Sequence, residues 1–169
     1  IKEPKVGKRI PKYLTEMEIE LLREACHLPI EKAIFELMFS TGCRIGEIVS
    51  LEKNHINWSN RSAIVRGKGD KEREVYFNIR CDIWLKRYID SRSDNDPAIF
   101  FTERHPHIMS VAQMRYIIKR ISNSAGINKE IHPYQLRNSY ATHLLNNGAP
   151  IGHSKSTGSQ EERNYPNLS

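Results

Sequence analysis

Thr41-Gly42-Cys43-Arg44-Ile45-Gly46-Glu47-Ile48 is the stretch whose reading decides the fold. An apolar run from Ile30 to Ser40 carries helical spacing and stops at Gly42; Arg44 then enters a second amphipathic segment ending near Leu51. An Arg so placed lies in the first turn of a helix, where backbone N–H groups and the positive dipole end favour an anion. Its guanidinium adds a planar donor fork that matches phosphate oxygens in pairs. Alone, the pattern also describes a surface Arg beside a helix cap, so its meaning depends on the remaining sequence.

Working outward, the 169 residues suffice for one well-buried core and little more. A hydrophobic share of 38% with 27% charged residues fits a globular domain, and no apolar run approaches a bilayer span. The net charge of +6 favours an anionic partner. Cys26, Cys43 and Cys81 form no CxxC pair, so neither a disulfide framework nor a zinc site is indicated, and a reducing cytoplasm is expected. With no initiator Met and no signal peptide, the sequence reads as a fragment of a longer chain.

Residues 1–12 hold Lys2, Lys5, Lys8, Arg9 and Lys12, broken by Pro4 and Pro11, which predicts a basic extended linker suited to lying along phosphates. Thr15 to Glu18 predicts a capping box with Leu14 and Ile19 as hydrophobic staple. A first helix follows over 16–26 with Ile19, Leu22 and Cys26 inward; a second buries Ala33, Ile34, Leu37 and Met38 along with Ile30. His55 and Trp58 read as structural turn residues. Ser62–Val65 and Glu74–Phe77 predict a β-hairpin whose loop contains Arg66, Lys68, Lys71 and Arg73. The glycines flanking Lys68 let the backbone approach another surface closely, although such a tip can simply be solvated. Helices are predicted over 79–91 and 111–124, with a strand at Ala98–Phe101 between them. Arg104-His105-Pro106-His107 lacks a third ligand nearby, so no metal site is expected. Gly126 ends a helix, and Pro133 opens the next, which places Tyr134 and Arg137 on one face and Leu136, Tyr140 and Leu144 inward. The expected architecture is mixed and mainly α, with a small antiparallel β-sheet.

Together TGCRIGE, the GKGDKER hairpin, HPYQLRNSYATHLLNNGA, GHS and a late tyrosine resemble the catalytic domain of the tyrosine recombinase (phage integrase) family. The resemblance covers nearly the whole chain from Leu14 onward. It implies that fold for residues 13–169, an interdomain linker at 1–12, and an N-terminal core-binding domain absent from this sequence. It implies a site-specific recombinase or integrase that cleaves and rejoins DNA strands through a 3′-phosphotyrosine. Arg44 and Arg137 would clamp the scissile phosphate, and Lys68, 24 positions after Arg44, would protonate the leaving 5′ oxygen. His153 would donate a hydrogen bond, Tyr165 would be the nucleophile, and Glu47 would steady the first arginine. Lys5, Lys8, Arg9, Lys12, Arg66, Lys71 and Arg73 are the expected DNA-backbone contacts.

The chemistry explains these residue types. The transition state of phosphodiester cleavage gathers charge on the non-bridging oxygens, which preorganised guanidiniums and an imidazole N–H stabilise without a metal or cofactor. A phenol with a reference pKa of about 10 needs a positive field to ionise. The covalent intermediate keeps the bond energy for rejoining.

Three departures stand out. Tyr134 occupies the position where the family usually has His, making it a further candidate catalytic residue, with His132 a substitute only if the chain turns it inward. Ile151 directly precedes Gly152 where relatives carry a short apolar helical segment, so residues are expected to be missing there. Tyr165 follows His153 by 12 positions, a longer spacing than usual. Expected partners are double-stranded DNA and further copies, monomeric when free and tetrameric on DNA, in the cytoplasm at the nucleoid and not at a membrane. Two other readings remain open: a type IB topoisomerase-like enzyme and a non-catalytic DNA-binding relative.

Overall fold

The computed structural model describes residues 13–102, 107–127 and 131–146. The expected linker cations Lys5, Lys8, Arg9 and Lys12, and the expected catalytic residues His153 and Tyr165, lie outside them. Six α-helices occur among the described residues: α1 (Glu16–Ala25), α2 (Pro29–Thr41), α3 (Ile45–Val49), α4 (Ile79–Asp90), α5 (Val111–Ser124) and α6 (Pro133–Asn146). The strands are β1 (Ile56–Asn57), β2 (Ser62–Arg66), β3 (Glu72–Tyr76), β4 (Phe101–Thr102) and β5 (His107–Ile108). β1, β2 and β3 form an antiparallel sheet in sequence order, and β4 pairs with β5.

Helix α2 is the axis of the fold. It packs against α4, α5 and α6, and burial encircles it: Ala33, Ile34, Phe35, Leu37 and Met38 are all inside. A helix buried on every side belongs in the centre of a core. Its two acids carry their own partners. Glu36 accepts from Arg23 Nε of α1 at 2.8 Å, and Glu31 accepts from Arg120 Nε of α5 at 2.9 Å. These pairs fasten the neighbouring helices to α2 without leaving a buried charge unpaired.

Local signals act as the sequence predicts. Thr15 and Glu18 make both bonds of the capping box, and Leu14 and Ile19 are buried together in the core. Gly126 adopts a positive φ of 75° just past α5. His55 Nδ1 accepts from Glu52 N, and Trp58 meets Phe77 edge-on. The strand expected at Ala98–Phe101 is a correction: only Phe101 belongs to a strand. Ala98 makes only an isolated antiparallel bridge with Glu52, and the carbonyls of Ala98 and Ile99 accept from Arg92 Nη1, both at 2.6 Å. Among the described residues no helix is long and apolar enough to cross a membrane.

Candidate active site

The site begins where α2 ends. Thr41 Oγ1 donates to Leu37 O at 2.6 Å and accepts from Cys43 N at 3.2 Å, tightening the turn. Gly42 takes the left-handed conformation (φ 69°) that a side chain would strain. Its carbonyl accepts from Arg137 Nε at 2.7 Å, 95 positions away in the chain. That bond fixes Arg137, half-buried on α6, beside the turn that delivers Arg44.

Arg44 differs from the expectation. It is the N-cap residue of α3, not part of its first turn, and α3 spans five residues. Its backbone N–H already donates to Glu47 Oε1 at 2.9 Å. With that N–H already used and the helix only five residues long, phosphate binding falls to the exposed Arg44 side chain. Glu47 is buried, and its chief side-chain partner is Arg73: Nε lies 3.1 Å from Oε2 and Nη2 lies 3.0 Å from Oε1. Burial pushes the Glu47 carboxyl up, but the bonds from Arg73 and from the Arg44 N–H outweigh it and hold the group below its ordinary range. Glu47 therefore steadies Arg44 through the backbone, and the guanidinium it grips is on β3.

Arg137 is close enough to Arg44 to feel its charge. Burial first, then the like charges of Arg44 and Arg73, lower its pKa from the ordinary value, while Glu47 acts in the opposite direction. A guanidinium remains cationic at neutral pH regardless. Crowding three of them around one carboxylate raises the energy of the free protein, and a bound anion relieves that repulsion.

Lys68 is exposed in a single 3-10 turn (Lys68–Asp70) at the tip of the β2–β3 hairpin. Gly69 there has φ 73°, and Gly67 N donates to Lys71 O at 2.8 Å to close the loop. Arg66 pairs with Glu72 and Asp70, and Lys71 is exposed beside it. At the start of α6, the Tyr134 ring stacks on His132, with centroids 5.5 Å apart. His132 thus lies against Tyr134, at the helix entrance.

Two buried polar residues of α6 escaped the sequence reading. Gln135 Oε1 accepts from His132 N at 2.7 Å, capping α6 from inside. Ser139 Oγ accepts from Leu14 N at 2.6 Å and donates to Gln135 O at 2.6 Å, tying the entry of the chain to the helix that carries Arg137. A Gln three residues after a cap position was a signal for the first; nothing local marked the second.

Comparison with known proteins identifies the family and the fold. Residues 12–154 match the family model described as the phage integrase family. The chain is 34% identical to tyrosine recombinase XerD of Pseudomonas putida over 158 residues, covering 88% of this chain and 53% of that protein. It superposes on the crystal structure of XerA recombinase with a TM-score of 0.77 at 28% identity, over 92% of this chain and 59% of that one. A pre-cleavage complex of XerH recombinase with its difH substrate shares the fold, with a TM-score of 0.65 at 20% identity over 92% of this chain and 50% of that one. The chain spans about half the length of the curated relatives it matches. The chain belongs to the phage integrase family of tyrosine recombinases.

Proposed function

We propose that this chain is the catalytic domain of a site-specific DNA recombinase that cleaves and rejoins strands through a 3′-phosphotyrosine. The observation that carries the proposal is that Arg137 donates to the carbonyl of Gly42, two residues before Arg44, although the two arginines are 93 positions apart in the chain. Arg44 and Arg137 hold the non-bridging oxygens of the scissile phosphate, each worth about 3 kcal/mol of barrier. The Tyr165 oxygen attacks phosphorus, and the bond from phosphorus to the 5′ oxygen breaks. Lys68 gives that oxygen its proton. His153 donates a hydrogen bond to the phosphate. Tyr134, exposed at the start of α6, offers a phenol O–H to the same phosphate. Rejoining is the reverse, with a new 5′-hydroxyl as attacker. The charge is supplied by side chains, so the proposed reaction proceeds in EDTA.

Double-stranded DNA is the proposed partner, as it is for the XerH relative in its complex. Arg66 and Lys71 at the hairpin tip and the cations of residues 1–12 contact its backbone, and four copies act together on two sites, in the cytoplasm at the nucleoid. The test uses a pool of random-sequence duplexes nicked so that a cleaved end diffuses away. Incubation with the protein yields an adduct that survives a denaturing gel, and Tyr165→Phe abolishes it. Binding without any adduct overturns the proposal. Strand transfer between two copies of a captured site, without plasmid relaxation, separates a recombinase from a topoisomerase-like enzyme.

A further inference from the structure

Lys68 and Arg44 must serve one phosphate, yet they sit on different elements, and Lys68 is exposed on a loop. A single buried carboxylate lies between the elements that carry them. Glu47 takes the Arg44 N–H and both Arg73 donors. Gly67, the residue before Lys68, lies so close to that carboxylate that an added Cβ would stand 2.9 Å from Glu47 Oε2. The carboxylate therefore touches the backbone of the phosphate-binding arginine, the approach to Lys68, and the strand returning from it.

We propose that Arg73 is a positioning residue: gripping Glu47 with two bonds, it holds the hairpin so that the Lys68 amine reaches the leaving 5′ oxygen. This rests on the recombinase reading above. It replaces the role expected from the sequence, in which Arg73 contacts the DNA backbone. Arginine is needed because its fork engages both carboxylate oxygens, whereas a lysine ammonium is a point charge on one.

The test separates proton delivery from every other step. In the ordinary reaction the tyrosine oxygen bonds to phosphorus, the 5′ oxygen departs, and Lys68 supplies its proton. With sulfur bridging at the 5′ position the leaving group is a thiolate, stable without a proton because thiols titrate at about 8.5. The probe is a duplex captured covalently from the random pool, made with oxygen and with sulfur at the scissile bond. On the oxygen duplex, Arg73→Gln and Lys68→Ala each slow cleavage by about a hundredfold. On the sulfur duplex both cleave at close to the wild-type rate. Gly67→Ala behaves like Arg73→Gln, Arg73→Lys falls between, and Arg137→Ala is slow on both duplexes.

Equal slowing of Arg73→Gln on the two duplexes overturns the inference, as does a loss confined to DNA affinity and its salt dependence. If Arg73→Gln fails to give a cooperative melt, Gly67→Ala and Arg73→Lys decide by the same comparison. A wild-type protein that forms no adduct on either duplex removes the recombinase reading and the inference with it; an adduct without sulfur rescue removes the inference alone.

Discussion

The two halves of the site are built differently. Arg137 and the Gly42 turn are anchored in the core, by α2 within and by bonds that span 95 and 125 positions of chain. The hairpin tip is exposed: its strands bury Val65 and Val75 in the core, and its polar tie to the site is the Arg73 bond to Glu47. The contrast follows the two chemical tasks. Charge stabilisation rewards donors that do not reorganise during the reaction. A proton donor must meet an oxygen that moves as its bond breaks, which a tethered but exposed amine permits.

The sharpest way to break this contrast is to loosen the rigid half. Ile34→Ala on α2, at a site with 0% exposure, is expected to cost about 3 kcal/mol in denaturant unfolding and to slow cleavage of oxygen and sulfur duplexes alike. A smaller loss is expected from Ser139→Ala, which leaves the buried Leu14 N–H without its acceptor, at about 2 kcal/mol.

The tether comes next and carries a pH signature. The folded Glu47 carboxyl lies below its ordinary value of 4.5, so its contribution is complete above that value and is lost as pH falls through the depressed one. Arg73→Gln leaves the carboxylate buried without its counter-charge. The expected cost at neutral pH is about 1–2 kcal/mol, reduced from the value for a buried pair because the Arg73 side chain is 45% exposed. The gap between variant and wild type should begin to narrow as pH falls below 4.5 and close only once pH has passed the depressed wild-type value, where Glu47 is protonated in both; unfolding curves at neutral and acid pH measure it. A gap that stays constant would mean that Arg73 stabilises the fold through something other than Glu47. The smallest effect belongs to Arg66→Ala. Its pair with Glu72 is open to solvent on both sides, so the unfolding midpoint should not move, while DNA binding should become less salt-dependent.

Much of this molecule was legible in sequence because its signals are local. The capping box at Thr15, the span of α5, the Gly42 and Gly126 turns and the β2–β3 hairpin each follow from spacing within a few residues. The family resemblance had a related basis, in short motifs that are weak singly and specific in combination. The Ala98–Phe101 run shows the limit: apolar residues in a row declare burial, but Arg92 decided what their carbonyls would bond to.

The sequence by itself determined which residues carry charge, where helices start and stop, and which motifs belong together. Only the tertiary structure decided that Arg137 donates to Gly42, that Ser139 holds Leu14, and that Glu47 grips Arg73 while capping Arg44. The physical reason is that these bonds join residues far apart in the chain. A long-range partner leaves no periodic trace in sequence; it exists only once burial has brought both groups together and made an unpaired polar atom costly.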